Sequence, residues 1–125
     1  MGHTGYIAFT VPGPPVPKER PRVGKNGGRT PARTAAYEKH VGFCALAARS
    51  SLSKTWPIDA DAYEITLEIH ELPKSRGDLD NYMKSILDGM QGILYGTDRR
   101  VRKATVTVSV DRLKPRAEVM IKVLE

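Results

Sequence analysis

No helix or strand can run through residues 12–33 of this chain. The stretch PGPPVPKERPRVGKNGGRTPAR places Pro12, Pro14, Pro15, Pro17 and Pro21 beside Gly13, Gly24, Gly27 and Gly28. Proline removes backbone donors and glycine leaves the chain unrestrained, so this is a long loop. Connections of that length inside a compact domain are usually functional or disordered. With 125 residues in all, there is room for one domain, 1–125, and one core. Regular structure must therefore come from the residues on either side of the loop.

Periodicity supplies it. Residues 6–11 (YIAFTV) are β-branched and aromatic and stop at Pro12, which predicts an opening strand. From residue 34 to about 49, Tyr37, Val41, Cys44, Ala45 and Ala48 recur at helical spacing. Residues 63–72 (YEITLEIHEL) alternate, with Ile65, Leu67 and Ile69 on one face and Glu64, Thr66, Glu68 and His70 on the other. Residues 79–91 return to the helical period through Leu79, Met83, Ile86, Leu87 and Met90, and Gly92 marks the stop. Residues 104–110 (ATVTVSV) and 118–123 (EVMIKV) alternate around the basic turn DRLKPR, which predicts a terminal hairpin. The expected fold is α+β: a small mixed sheet of about four strands with two helices packed on one face. Tyr6, Phe9, Tyr37, Phe43 and Tyr63 fall on stripes that read as core, whereas Tyr82 and Tyr95 could pack or face a ligand and Trp56 has no assignment.

Charge narrows the function. Twenty Lys and Arg against fourteen Asp and Glu give a formal charge of +6, which favours an acidic partner, nucleic acid ahead of membrane. Lys18, Arg20, Arg22, Lys25, Arg29 and Arg33 face one acid, Glu19, so the loop holds nearly the whole surplus. No stretch approaches the ~20 apolar residues that cross a bilayer, and residues 1–9 do not resemble a signal peptide. A lone cysteine, Cys44, forms no internal bridge. A soluble cytoplasmic protein is expected.

The most informative stretch is SRGDLDNYMKSILDGMQGILYGTDRRV, residues 75–101. Asp78 and Asp80 stand two apart at the start of the second helix, and Asp80, Lys84 and Asp88 are spaced by four, so they line one polar face. Asp98 follows in the next loop. Two carboxylates about 4 Å apart repel by roughly 4 kcal/mol at an effective dielectric of 20, and a hard divalent cation answers that repulsion. Magnesium takes such oxygen ligands, whereas His3, His40 and His70 lie on different elements and do not make a zinc site. Each acid also has a plain reading. Asp78 could cap the helix and Asp80 favour its dipole, Lys84 could form a solvated pair with Asp80 or Asp88, and Asp98 could be a turn acid.

The segment G-D-L-D-N-Y-M-K-S-I-L-D-G-M, followed by Y-G-T-D-R-R-V, closely resembles the signature of the RusA family of Holliday junction resolvases. The earlier V-P-G-P-P-V-P-K-E-R-P-R-V and T-P-A-R-T-A-A-Y-E are similar to that family's N-terminal segment and the start of its first helix. The resemblance spans nearly the whole chain. It implies metal-binding aspartates at Asp78, Asp80 and Asp98, an essential lysine at Lys84, Mg²⁺ as cofactor with Mn²⁺ able to substitute, and a homodimer cutting a four-way DNA junction during recombination and repair. Thr97 stands where many members carry a second acid, and Asp88 matches a position that reads as structural. Lys18, Arg20 and Arg22 match the family's basic segment as DNA contacts, and Arg99 and Arg100, with Arg102 and Lys103, offer a second phosphate track that could equally be a solvated turn. Two alternatives stand beside this one: the same chemistry on flaps or forks, and a non-catalytic DNA-binding module.

Overall fold

The computed structural model describes residues 5–19, 31–52 and 54–124. Strand β1 (Tyr6–Pro12) leads through the proline-rich segment to helix α1 (Ala32–Ser50), then β2 (Tyr63–Glu71), helix α2 (Leu79–Met90), a single 3₁₀ turn (Asp98–Arg100), β3 (Val101–Val110) and β4 (Arg116–Val123). The strands form one sheet in the order β1-β4-β2-β3, with β2 and β3 parallel and the other pairs antiparallel. This is the expected α+β arrangement, a mixed four-stranded sheet with both helices on one face.

Alternation sorts the two faces. Ile7 and Val11 of β1, Tyr63, Ile65, Leu67 and Ile69 of β2, and Ala117, Val119 and Ile121 of β4 point under the helices and are buried. They meet Tyr37, Val41 and Ala45 of α1 and Tyr82, Ile86 and Met90 of α2 in a single core. The opposite face carries Glu64, flanked by its cross-strand neighbours Lys103 and Lys122 at 3.5 Å each. Among the described residues no helix is long and apolar enough to cross a membrane.

The terminal hairpin is corrected by the structure: β4 lies between β1 and β2, and β2 separates it from β3. Alternation reports which face of a strand is apolar but not which strand it pairs with. The inward residues of β4 are fully covered, and a central slot gives them neighbours on both sides, whereas β3 presents small and polar side chains suited to an edge. Residues 111–115 make the step over β2, tied by Asp111 N–H donating to the Glu71 carbonyl at 2.9 Å and Gly13 N–H to the Pro115 carbonyl at 3.1 Å. Two strand spacings, about 10 Å, lie well within reach of five residues.

Two aromatics expected in the core are outside it. Tyr6 is 61% exposed because it is out of phase with Ile7 and Val11, and Phe43 is 75% exposed because it lies on the outer side of α1, next to Gly42, which abuts α2. Trp56 is buried, its indole N–H donating to the Leu94 carbonyl at 2.7 Å.

Register places Glu68 opposite Glu118, a like-charge pair that needs relief. Thr10 donates to Glu118, and Arg116 bridges it at 2.7 Å while also reaching Asp111 at 3.1 Å. The Thr10 hydroxyl first, then Arg116, holds the Glu118 carboxyl below the usual glutamate range. A depressed folded pKa means stability that is present above the unfolded value, about 4.3, and is lost as pH falls through the folded one. Thermal melting across pH 2 to 6 should therefore show Glu118→Gln with a flatter acid limb than wild type; identical limbs would remove this contribution.

Candidate active site

The acidic end of α2 is presented by a half-buried clamp. Tyr82, in the first turns of the helix, donates its hydroxyl to the Glu71 carboxylate at 2.6 Å, and Gly77 N–H donates to the same oxygen at 3.3 Å. Burial first, then Glu71, pushes the Tyr82 phenol up to about 12, so it stays a donor. A Cβ on Gly77 would lie 2.5–2.7 Å from the Tyr82 ring, so only glycine lets the loop pass over the tyrosine into the helix. Arg76, with φ at 46°, completes that turn. Tyr82 therefore packs inside, and the turn it supports delivers Asp78 and Asp80.

Asp78 occupies the N-cap position of α2, yet its side chain makes no capping hydrogen bond. Among the described residues its carboxylate has only a long contact, 3.5 Å, from the Asn81 amide. Asp80 is exposed in the first helical turn and has no hydrogen-bond or ion-pair partner among the described residues. The capping account of Asp78 thus fails on geometry.

Asp98 arrives from the other side. After Met90 the chain turns through Gly92, at φ +84°, whose N–H donates to the Tyr95 carbonyl at 2.7 Å. Tyr95 is fully buried, donates its hydroxyl to the Leu87 carbonyl at 2.6 Å, and packs on Tyr63, which stacks on Trp56. Gln91 Oε1 accepts from Asp98 N–H at 3.2 Å, setting the start of the 3₁₀ turn. The loop is thereby folded back so that Asp98 Oδ2 lies 2.9 Å from Lys84 Nζ.

Lys84 also contacts Asp88 Oδ1 at 2.9 Å, one turn further along α2. Asp98 and then Asp88 raise the ammonium pKa, so Lys84 is firmly protonated. Asp88 Oδ2 lies 3.0 Å from Lys18 Nζ, which in turn is 2.7 Å from Glu38 Oε2 of α1. Burial alone would push the Asp88 carboxyl up, but Lys84 and Lys18 outweigh it and hold the group below the usual range.

The proline-rich segment is therefore only partly a loop in the sense expected. Pro15 and Val16 are buried, the Val16 carbonyl accepts from Ser85 Oγ at 2.7 Å, and Lys18 N–H donates to the Asn81 carbonyl at 2.8 Å. Arg20, Arg22, Lys25 and Arg29 lie outside the described residues. Arg99 and Arg100 are exposed beside Asp98, with Arg100 leaning loosely on Asp61 at 3.4 Å.

The structure brings Lys84 to Asp88, as their spacing by four allows, and to Asp98, which the spacing did not address, whereas Asp80, on the same predicted face, makes no contact with Lys84; Glu38, Glu71, Gln91 and Tyr82 were not anticipated as supports. Glu38 is twenty residues from Lys18 and carries no spacing signal. The available donors are carboxylate oxygens, the chemistry a hard cation prefers. Among the described residues, however, no three His, Cys, Asp or Glu side chains gather into a group that could hold a metal ion. In this arrangement the Lys84 ammonium neutralises Asp98.

Comparison with known proteins agrees with these features. Residues 12–122 match the family described as Endodeoxyribonuclease RusA. The chain is also similar to the Bacillus subtilis (strain 168) "Uncharacterized protein YqaN", 28% identical over 141 residues and covering 93% of this chain and 95% of the relative. The family match over residues 12–122 takes in the Lys18 segment, both helices, the acidic turn and the Asp98 loop, and this chain belongs to the RusA family of endodeoxyribonucleases.

Proposed function

We propose that this protein is a magnesium-dependent, structure-specific endodeoxyribonuclease that resolves four-way DNA junctions as a homodimer. The observation that carries this reading is the meeting of Lys84 with Asp98 at 2.9 Å, on the helix whose first turn exposes the carboxylate of Asp80 and whose N-cap is Asp78. Asp78, Asp80 and Asp98 would hold the cation. When bound, it polarises the scissile phosphate and lowers the pKa of an attacking water. Lys84 supplies a protonated ammonium to stabilise charge on the phosphate oxygens, and being pre-charged it needs no proton transfer to do so. A purely binding surface gains nothing from acids facing a phosphate.

The test offers the purified chain four-way junctions, flaps, forks and linear duplex at equal concentration, in Mg²⁺, Mn²⁺ and EDTA. Paired symmetric nicks across the junction are expected. Preference for flaps would move the activity to another branch, and binding without cleavage in either metal would leave a non-catalytic module. Sedimentation at micromolar concentration should give a dimer, and a monomer there would remove the paired-cut geometry.

Arg99 is the described cation best placed to follow a phosphate track, exposed and free of side-chain partners among the described residues. Arg99→Ala should reduce the slope of log affinity against log salt by about 0.9, the loss of one phosphate contact. An unchanged slope assigns Arg99 to solvent.

A further inference from the structure

We propose that Lys18 and Asp88 are positioning residues for Lys84, with Lys18 acting as an internal counter-ion and not as a phosphate contact. The proposal rests on the reading above, in which Lys84 acts on the scissile phosphate.

The geometry is specific. Each oxygen of Asp88 is taken by a different lysine, Oδ1 by Lys84 and Oδ2 by Lys18, and Lys18 has Glu38 on its far side. Side-chain exposure separates their roles. Lys18 and Asp88 are 21% and 19% exposed, sheltered between the N-terminal segment and the two helices, while Lys84 is 49% exposed. The four-carbon stem of Lys84 is thus not held by packing, and a flexible ammonium is fixed only by its partners. Asp88 is the anchored partner and Lys84 the aimed one.

Lys18 makes Asp88 usable for this purpose. Without it, Asp88 and Glu38 would present two carboxylates on adjacent helix faces with no cation between them, and Lys84 would be drawn from Asp98 towards that surplus. With Lys18 in place, Asp88 is shared and its pull on Lys84 is balanced against Asp98. Two of the three ammonium donors of Lys18 already meet carboxylates, and its backbone N–H is bound to Asn81. Its third ammonium donor belongs to a side chain only 21% exposed and flanked by Glu38 and Asp88, so a phosphate reaching it would be brought against both carboxylates, unlike one approaching the half-exposed Lys84.

The experiment measures junction cleavage in Mg²⁺ and junction binding in EDTA as a function of salt, for Lys18→Gln, Lys18→Arg, Asp88→Asn and Lys84→Ala, with thermal melting to confirm folding. Lys18→Gln and Asp88→Asn should each lower kcat about tenfold with KM little changed, and the double variant should lose no more than either alone, as expected of residues acting as a unit. Lys18→Arg, which keeps charge and two-sided donors, should recover most of the rate. The salt slope of Lys18→Gln should equal that of wild type.

A slope reduced by about 0.9 with kcat intact would make Lys18 a phosphate contact and overturn the proposal. Wild-type kcat in Asp88→Asn, with Lys84→Ala inactive, overturns the proposal and leaves the nuclease reading standing. Undiminished cleavage by Lys84→Ala removes that reading instead. Should Asp88→Asn fail to fold, the contrast between Lys18→Gln and Lys18→Arg decides: equal rates in the two overturn the proposal, and recovery in the arginine variant with an unchanged slope supports it.

Discussion

Asp80→Asn is expected to abolish Mg²⁺-dependent junction cleavage, by on the order of 10³-fold or more, while leaving binding in EDTA intact or tighter. The substitution is nearly isosteric and removes one negative charge. Asp80 has no structural partner among the described residues and is exposed in the first turn of α2, so its loss opens no cavity and breaks no ion pair. An acid in the first turn favours the helix dipole by only about 0.3–1 kcal/mol, which melting will register as a small shift. Binding tightens because a carboxylate facing a phosphate is repelled by about 1 kcal/mol at 4 Å in water. A folded Asp80→Asn protein that cleaves at the wild-type rate would falsify the catalytic assignment of the α2 turn. The same measurement on Lys84→Ala separates the acid's contribution from the lysine's.

The second large effect is on stability. Helices α1 and α2 cross where Gly42 faces Gly89: a Cβ on Gly89 would meet the Val41 Cβ at 2.7 Å and the Glu38 carbonyl oxygen at 2.8 Å. One of these is backbone, so relief requires the helices to move apart, not a side chain to rotate. Overpacking of this kind costs typically 1–3 kcal/mol and sometimes more. Gly89→Val is therefore expected to destabilise by about 3 kcal/mol, lowering Tm by roughly 10 °C. Gly96→Ala is the control: nothing lies within 4 Å of a Cβ there and its φ is not in the left-handed region, so a change within about 0.5 kcal/mol is expected. Because Glu38 and Asp88 flank the crossing, Gly89→Val should also weaken the Lys18 contacts and lower cleavage in the molecules that remain folded. Melting temperatures equal for Gly89→Val and wild type would show that the helices do not depend on this close approach.

The legible parts of the fold and the obscure ones divide on a physical line. Helices and strands announced themselves because an element with one covered face must repeat apolar residues at its own period: 63–71 at two, 79–90 at helical spacing. The acidic turn was legible for a related reason, since Asp78, Asp80, Lys84 and Asp88 are close in sequence and a helix places i and i+4 together. What pairs across sequence distance was not. Strand β4 alternates identically whether it pairs with β3 or slots between β1 and β2, and the capping reading of Asp78 could be refused only from the observed side-chain position. Phe43 resembled a core residue until the side of α1 facing α2 was known.

By itself, then, the sequence determined the strand and helix content, the single proline-rich interruption, the basic surplus and the family signature from Asp78 to Asp98, all of them properties of local spacing and composition. The tertiary structure alone decided that the 91–98 loop folds back to set Asp98 against Lys84, that β4 lies centrally in the sheet, and that Lys18, a basic residue in a basic segment, is engaged with Glu38 and Asp88. Those outcomes depend on contacts between residues far apart in the chain, seventy positions for Lys18 with Asp88 and more than a hundred for the pairs of β1 with β4, and such contacts are selected by the packing of the whole core, which no local pattern records.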